Sequence, residues 1–185
     1  LSARHFGILL VERLIDRVAF DEKNIDHVDR ISDHVIRALF RDLEVYTYGT
    51  CVDRRKNVRP ARDVIQDELA ATLRRYRRDR VVLVAHSMGT IIAHDVLASP
   101  RYGLSVDALV TIGSPLGLPP IMRRLQQYDG AEGAVVCRTP EGVRSRWVNF
   151  SDLEDQVAFN YDLADDFAPN SRGVQAQDFV VYNTW

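Results

Sequence analysis

Cysteine, net charge and long apolar runs are all scarce in this chain of 185 residues. Its two cysteines, Cys51 and Cys137, are too few for a disulfide scaffold and favour free thiols, as in a cytoplasmic protein. No apolar run reaches the length of a membrane span, so we expect no transmembrane segment. The formal net charge is −2, from 24 basic and 26 acidic residues, and such a balance does not attract a nucleic acid or an anionic membrane.

What is present is the composition of a globular domain. Hydrophobic residues make up 46% of the chain and charged residues 27%, which is enough apolar material for a packed core. The length fits a single domain over residues 1–185, without internal repeats or low-complexity tracts. Because the sequence starts at Leu1 and stops at Trp185 directly after a predicted strand, we expect an incomplete copy of a larger domain.

Hydrophobic periodicity predicts helices that alternate with strands. The predicted helices cover residues 24–41, 60–78, 88–98 and 121–128, and the predicted strands cover residues 43–48, 81–85, 109–112, 147–150 and 179–182. Alternation of this kind is typical of an α/β fold. We therefore expect a mostly parallel sheet with helices on both faces.

The segment that is most informative about chemistry surrounds Ser87. An apolar strand leads into Ala85-His86-Ser87-Met88-Gly89, and a predicted helix follows at once. This is the small-x-Ser-x-small pattern of a nucleophile elbow, in which a sharp turn lifts the serine hydroxyl to the carboxyl end of the sheet. The alternative is that Ser87 simply caps the helix that follows a core strand.

Each neighbour of Ser87 has a physical task in such an elbow. The residues two positions away on either side come close together, so both must be small, as Ala85 and Gly89 are. The side chain of His86 is expected to turn away from the serine. The N–H of Met88 begins the helix and would point at a developing oxyanion, which the helix dipole also favours.

Three stretches of the chain resemble the α/β-hydrolase superfamily, in particular its lipase- and esterase-like serine hydrolases. They are residues 82–90, 109–117 and 147–158, in the order that the superfamily has. The second is similar to the strand and Gly-Ser-Pro turn after the nucleophile helix, and the third to the strand whose trailing loop holds the triad acid. The resemblance implies an α/β-hydrolase fold and a carboxylesterase- or lipase-like activity, without a metal or an organic cofactor.

The same resemblance implies an acid in the loop after residues 147–150. Asp155 is the first candidate, because Asp155-Gln156-Val157 is similar to the Asp-Pro-Val of the superfamily, with glutamine in place of proline. Asp152 follows the predicted strand directly and is the second candidate. A solvated acidic loop without a catalytic role is the remaining alternative. The triad acid orients a histidine and stabilises its imidazolium.

None of the five histidines fits the role of base. The superfamily order is serine, acid and histidine, yet no histidine follows Asp155. His94 would lie about 10 Å along the helix from Ser87, too far for a hydrogen bond of about 3 Å. We expect the base to lie beyond Trp185, and the first strand with its second oxyanion donor to be missing from the chain as well.

The sequence thus predicts a serine hydrolase that cleaves a small-molecule acyl ester through an acyl-enzyme on Ser87. Two alternatives stay open. One is a thioesterase or acyltransferase with the same triad, and the other is a non-catalytic, hydrolase-like binding module. A histidine soon after Trp185 in a longer sequence would favour an enzyme. The substrate and the oligomeric state do not follow from the sequence.

Overall fold

A computed structural model describes residues 41–125, 127–128, 135–152 and 162–181. Apart from Arg41, these residues belong to one unit that begins at Asp42. The helix predicted over residues 24–41 lies, except for its last residue, outside the described part of the chain. The elements in chain order are α1 (residues 41–48), β1 (Thr50–Val52), β2 (Val58–Pro60), α2 (Ala61–Arg75), β3 (Val82–His86), α3 (Met88–Ala98), β4 (Val106–Ile112), a 3₁₀ turn (Pro115–Gly117), α4 (Pro119–Leu125), β5 (Gln127–Tyr128), β6 (Val135–Arg138), β7 (Val143–Asp152), α5 (Leu163–Asp166), β8 (Phe167–Ala168) and β9 (Ala176–Val181).

A four-stranded sheet with the order β3-β4-β7-β9 lies at the centre, and all its neighbouring strands are parallel. Parallel neighbours need crossover connections, and helix α3 supplies the first of them, between β3 and β4. The register sets His86, Ile112, Phe150 and Phe179 side by side. The carboxyl ends of the four strands therefore meet at one edge of the sheet, and the predicted α/β class with a mostly parallel sheet is confirmed.

The two faces of this sheet differ in burial. Leu109, Trp147 and Ala176 are neighbours in the register, share one face and are buried. On the opposite face Val82 and Val84 of β3 are 61% and 60% exposed. The core of the described unit thus lies on the side of Trp147, whose ring packs edge-on against Phe167.

One predicted strand is wrong. Residues 43–48 form most of helix α1, although their β-branched and aromatic side chains favour a strand. Tyr46 is fully buried in this helix and its hydroxyl donates a hydrogen bond to Asp95 of α3. The tertiary contacts of this aromatic residue thus outweigh a local strand preference, which is at most about 1 kcal/mol per residue.

Smaller elements also depart from the prediction. The hairpin β1–β2 was not predicted; its turn is closed by Asp53, whose carboxylate accepts the N–H groups of Arg55 and Asn57. Helix α4 ends at Leu125, and Gln127–Tyr128 form strand β5, although the sequence predicted a helix up to residue 128. The short strand β6 and the elements α5 and β8 lie in stretches for which the sequence predicted no regular structure.

Candidate active site

Ser87 joins strand β3 to helix α3 with unusual backbone angles, a φ of 49° and a ψ of −128°. A residue other than glycine rarely adopts a positive φ, and this backbone conformation costs about 1–3 kcal/mol. Among the described residues the other non-glycine case is Lys56, which lies in the exposed turn of the hairpin β1–β2. The strain at Ser87 is therefore at a strand-to-helix junction, not in a surface turn.

Hydrogen bonds hold both backbone groups of Ser87. Its N–H donates to the carbonyl of Ile112 at the end of β4, at 3.0 Å. Its carbonyl accepts the N–H of Thr90 at 2.9 Å and the Thr90 hydroxyl at 2.7 Å. Surrounding structure thus fixes the conformation from both sides, which is the condition for strain to persist.

The hydroxyl of Ser87 is not used as a helix cap. A capping serine has extended backbone angles, and its oxygen accepts an N–H from the first turn of the helix. Ser87 precedes α3 without such a side-chain bond, and its φ is positive. The alternative of a simple N-cap is therefore wrong. The side chain is half-buried, at the edge of the sheet where the strands end.

Of the two candidate acids, the structure describes only Asp152. Asp155 lies outside the described residues. Asp152 ends strand β7, is half-buried and pairs in register with Val181 of β9. Strand β7 is two positions from β3 in the sheet, so about 10 Å separates their axes. The carboxyl end of β7, at Asp152, is thus on the same edge of the sheet as Ser87.

The two described histidines are not placed as a base for Ser87. His86 is exposed at the end of β3, while His94 is buried in α3 with its Nε2 3.2 Å from the carbonyl oxygen of Arg138. Burial lowers the pKa of His94, so its imidazole is neutral near pH 7. His5, His27 and His34 lie outside the described residues.

Comparisons with known proteins agree with this geometry. The family described as PGAP1-like alpha/beta domain matches residues 45–133, which include the Ser87 junction with β3, α3 and β4. The matched stretch is a little under half of the chain and, with the parallel sheet, it supports an α/β-hydrolase fold. This supports a hydrolase, although a superfamily does not by itself fix the reaction.

A solved structure, the esterase domain from a Rhodothermus marinus protein, is 20% identical to this chain, with a TM-score of 0.36. The match covers 63% of this chain and 56% of that one, so the chain spans little more than half of the solved domain. No curated protein matches the sequence. Within the described ranges, none of the helices has the length and apolar character needed to cross a membrane.

The sequence predicted that Gly89 must be small because it comes close to Ala85. For a side chain of a single methyl group this prediction is wrong. A Cβ built on Gly89 has no heavy atom within 4 Å, so it would not collide with the incoming strand. Ala85, by contrast, is 7% exposed and has little room. Both residues line a shallow apolar groove of about 340 Å³ beside α2, together with Ile65, Leu69 and Ile92.

Sequence reasoning missed a row of hydrogen-bonded polar side chains that crosses the buried face of the four-stranded sheet. The indole N–H of Trp147 donates to the Thr111 hydroxyl at 3.0 Å, and that hydroxyl donates to Asn149 at 2.8 Å. The Asn149 amide then donates to Asp178 of β9 at 2.8 Å. The available signal was a pair of polar residues, Asn149 and Ser151, that alternate with apolar ones along a predicted strand.

Proposed function

We propose that this chain is the core of a serine hydrolase, a carboxylesterase- or lipase-like enzyme that cleaves a small acyl ester. The observation that carries the proposal is Ser87, whose strained backbone presents an uncapped hydroxyl at the carboxyl edge of the sheet. Strain of this size persists where function requires a side chain in one position. A nucleophilic serine is such a requirement.

In the proposed reaction the Ser87 oxygen attacks the acyl carbonyl carbon and its proton passes to a histidine base. The N–H of Met88, at the start of α3, supplies half of the oxyanion hole, because first-turn N–H groups have no partner within a helix. The tetrahedral intermediate collapses and expels the alcohol, which takes the proton from the histidine. Water then hydrolyses the acyl-enzyme by the same steps.

Asp155 is our proposed acid, with Asp152 as the second candidate. Strand β7 ends at Asp152, on the edge of the sheet that carries Ser87, and Asp155 follows three positions later in the sequence. We propose that the base is a histidine in the segment after β9, the strand beside β7. Strands β7 and β9 are neighbours whose carboxyl ends lie at the same edge of the sheet, which supports a base from the segment that follows β9. A cytoplasmic location and a reaction without cofactors belong to the same proposal.

The test is covalent labelling of the full-length protein with a fluorophosphonate, which reacts with activated serines. We expect labelling at Ser87, which Ser87→Ala abolishes. Ser99 is the matched control, because it ends the same helix and is also half-buried; Ser99→Ala should be labelled like the wild type. Labelling at another serine would refute the assignment of Ser87, and a protein that is not labelled at all would be a binding module.

A further inference from the structure

A chain of hydrogen bonds links the 3₁₀ turn to the carbonyl of Ser87. The N–H of Leu116 donates to the Ser114 oxygen at 3.3 Å, and the Ser114 hydroxyl donates to the Thr90 oxygen at 3.0 Å. The Thr90 hydroxyl then donates to the carbonyl of Ser87 at 2.7 Å. Both residues that carry these hydroxyls are buried: Thr90 is fully buried and Ser114 is 2% exposed.

The direction of this chain is fixed. A hydroxyl has one proton to donate, and an amide N–H cannot accept. Because the Ser87 carbonyl can only accept, the single proton of Thr90 is directed to it, so the bond between Ser114 and Thr90 must use the Ser114 proton. The Ser114 oxygen in turn accepts the N–H of Leu116. Hydrogen bonds in series also polarise each other, so the last bond, at the Ser87 carbonyl, is strengthened.

The Ser87 carbonyl belongs to the same peptide group as the N–H of Met88. A peptide group is planar and trans, so its carbonyl and its N–H point in opposite directions. A bond that holds the oxygen of this group therefore also sets the direction of the N–H. Since two bonds from Thr90 polarise the carbonyl, the N–H of Met88 also becomes a stronger donor.

We propose that Thr90 is a positioning residue that aims the N–H of Met88 at the oxyanion, and that Ser114 acts through Thr90. This inference rests on the proposed function of Ser87 and Met88. Thr90 does not touch the substrate. Its hydroxyl orients the peptide group between Ser87 and Met88, and the buried hydroxyl of Ser114 orients the proton of Thr90.

The experiment compares variants of the full-length protein in hydrolysis of a p-nitrophenyl ester. Thr90→Val keeps the shape and removes the hydroxyl, whereas Thr90→Ser keeps the hydroxyl. We expect kcat to fall by about 10- to 100-fold in Thr90→Val with KM within about twofold, because an oxyanion donor acts mainly in the transition state. Thr90→Ser should restore most of kcat.

Thr72 offers a matched control on another helix. Its hydroxyl also donates to a backbone carbonyl, that of Glu68 at 3.1 Å, but on the exposed side of α2. Thr72→Val should keep the wild-type kcat. Ser114→Ala should lower kcat less than Thr90→Val, and should have no further effect in a Thr90→Val background, because it acts through Thr90.

Two results would overturn the inference: a kcat for Thr90→Val within about twofold of the wild type, or equal losses in Thr90→Val and Thr90→Ser. If the wild type neither reacts with a phosphonate nor hydrolyses esters, the proposed function fails instead. Crystal structures of the wild type and Thr90→Val then still test the positioning. An unchanged peptide group between Ser87 and Met88 would refute it, and a rotated one would support it.

Discussion

At the scale of single residues, Ser87 is held in a strained conformation by partners on opposite sides. The N–H belongs to the ladder with β4, since it bonds Ile112, whereas the carbonyl belongs to the first turn of α3, since it bonds Thr90. A chain that satisfies both has to turn sharply between strand and helix. The sequence predicted this turn from small residues and an apolar strand, but the strain itself depends on Ile112 and Thr90, which the motif does not include.

Replacing glycine by alanine should change the free energy of unfolding in opposite directions at Gly89 and Gly142. Gly89→Ala should raise the free energy of unfolding by up to about 1 kcal/mol, because a helical glycine is entropically unfavourable and a Cβ there meets open space. Gly142→Ala should lower it by about 1–3 kcal/mol, because its Cβ would lie 2.5 Å from the Leu104 carbonyl oxygen and 2.7 Å from that of Leu97. Urea unfolding of both variants measures the difference, and equal changes would contradict the packing described here.

The assignment of the acid can be tested on two neighbouring carboxylates. Asp155→Asn should lower kcat by several orders of magnitude, since the corresponding change in a well-studied serine protease costs about 10⁴ by presenting the wrong histidine tautomer. Asp152→Asn should cost much less and serves as the control for damage to the loop. Steady-state ester hydrolysis by the full-length variants decides between them. A large loss confined to Asp152→Asn would transfer the role to Asp152, and two mild losses would exclude both.

At the scale of elements, Asp95 joins four helices of the described unit. This buried carboxylate of α3 accepts hydrogen bonds from Tyr46 of α1 and Gln66 of α2, and pairs with Arg124 of α4 at 3.0 Å. Arg62 of α2 completes the group at 3.2 Å. Burial, with the charge of Asp95 next, raises the pKa of Tyr46, so its hydroxyl stays protonated as a donor.

Asp95→Asn should therefore lower the free energy of unfolding by about 2 kcal/mol, between the effects of a surface and of a buried ion pair. The change removes a buried carboxylate from Arg124, whose side chain is 22% exposed, and from Arg62, whose side chain is 44% exposed. Asp63→Asn is the control. Asp63 pairs with Arg101 at 3.3 Å on the surface, where an ion pair contributes less than about 1 kcal/mol. Chemical denaturation measures both losses, and similar values would mean that Asp95 does not organise the helices.

The Asp95 group also explains where sequence reasoning about elements fails. Strands β3, β4, β7 and β9 were predicted, because continuous apolar runs such as residues 81–85 need no partner information to be recognised. Helix α1 was not, since its conformation follows from the contact of Tyr46 with a residue 49 positions later. Secondary-structure propensity depends only on residues that are close in sequence, so it cannot predict the effect of such a distant contact.

At the scale of the whole molecule, local sequence patterns predicted the position of Ser87, but not those of its proposed acid and base. The Ser87 junction could be predicted because all its motif residues lie within five positions of sequence. The acid could be narrowed only to Asp155 or Asp152, since a loop position has no periodicity to fix it. The sheet order supports both candidates, because parallel strands bring the carboxyl end of β7 to the edge that holds Ser87.

The stability of the whole unit should depend on pH through His94. This residue is 2% exposed, its ring packs edge-on against Phe167, and its Nε2 faces the carbonyl of Arg138. The charges of Asp95 and Arg124 also act on its imidazole, in opposite directions. Burial lowers the pKa of His94 below its ordinary value of 6.5, which the unfolded chain retains. Below pH 6.5 the unfolded state thus binds more protons than the folded state. The contribution of His94 to stability is therefore fully present above pH 6.5 and is lost as the pH falls below it.

We expect His94 to lower the free energy of unfolding by about 1 kcal/mol between pH 7 and pH 5.5, since one proton corresponds to about 1.4 kcal/mol per pH unit. Asp166, whose pKa burial raises, changes stability in the opposite sense, but it does so equally in the wild type and in variants. The measurement is urea unfolding at both pH values for the wild type, His94→Gln and His86→Gln. The pH-dependent loss should shrink by that amount in His94→Gln and persist in the exposed control His86→Gln. An unchanged loss in His94→Gln would mean that the buried imidazole takes up its proton without unfolding.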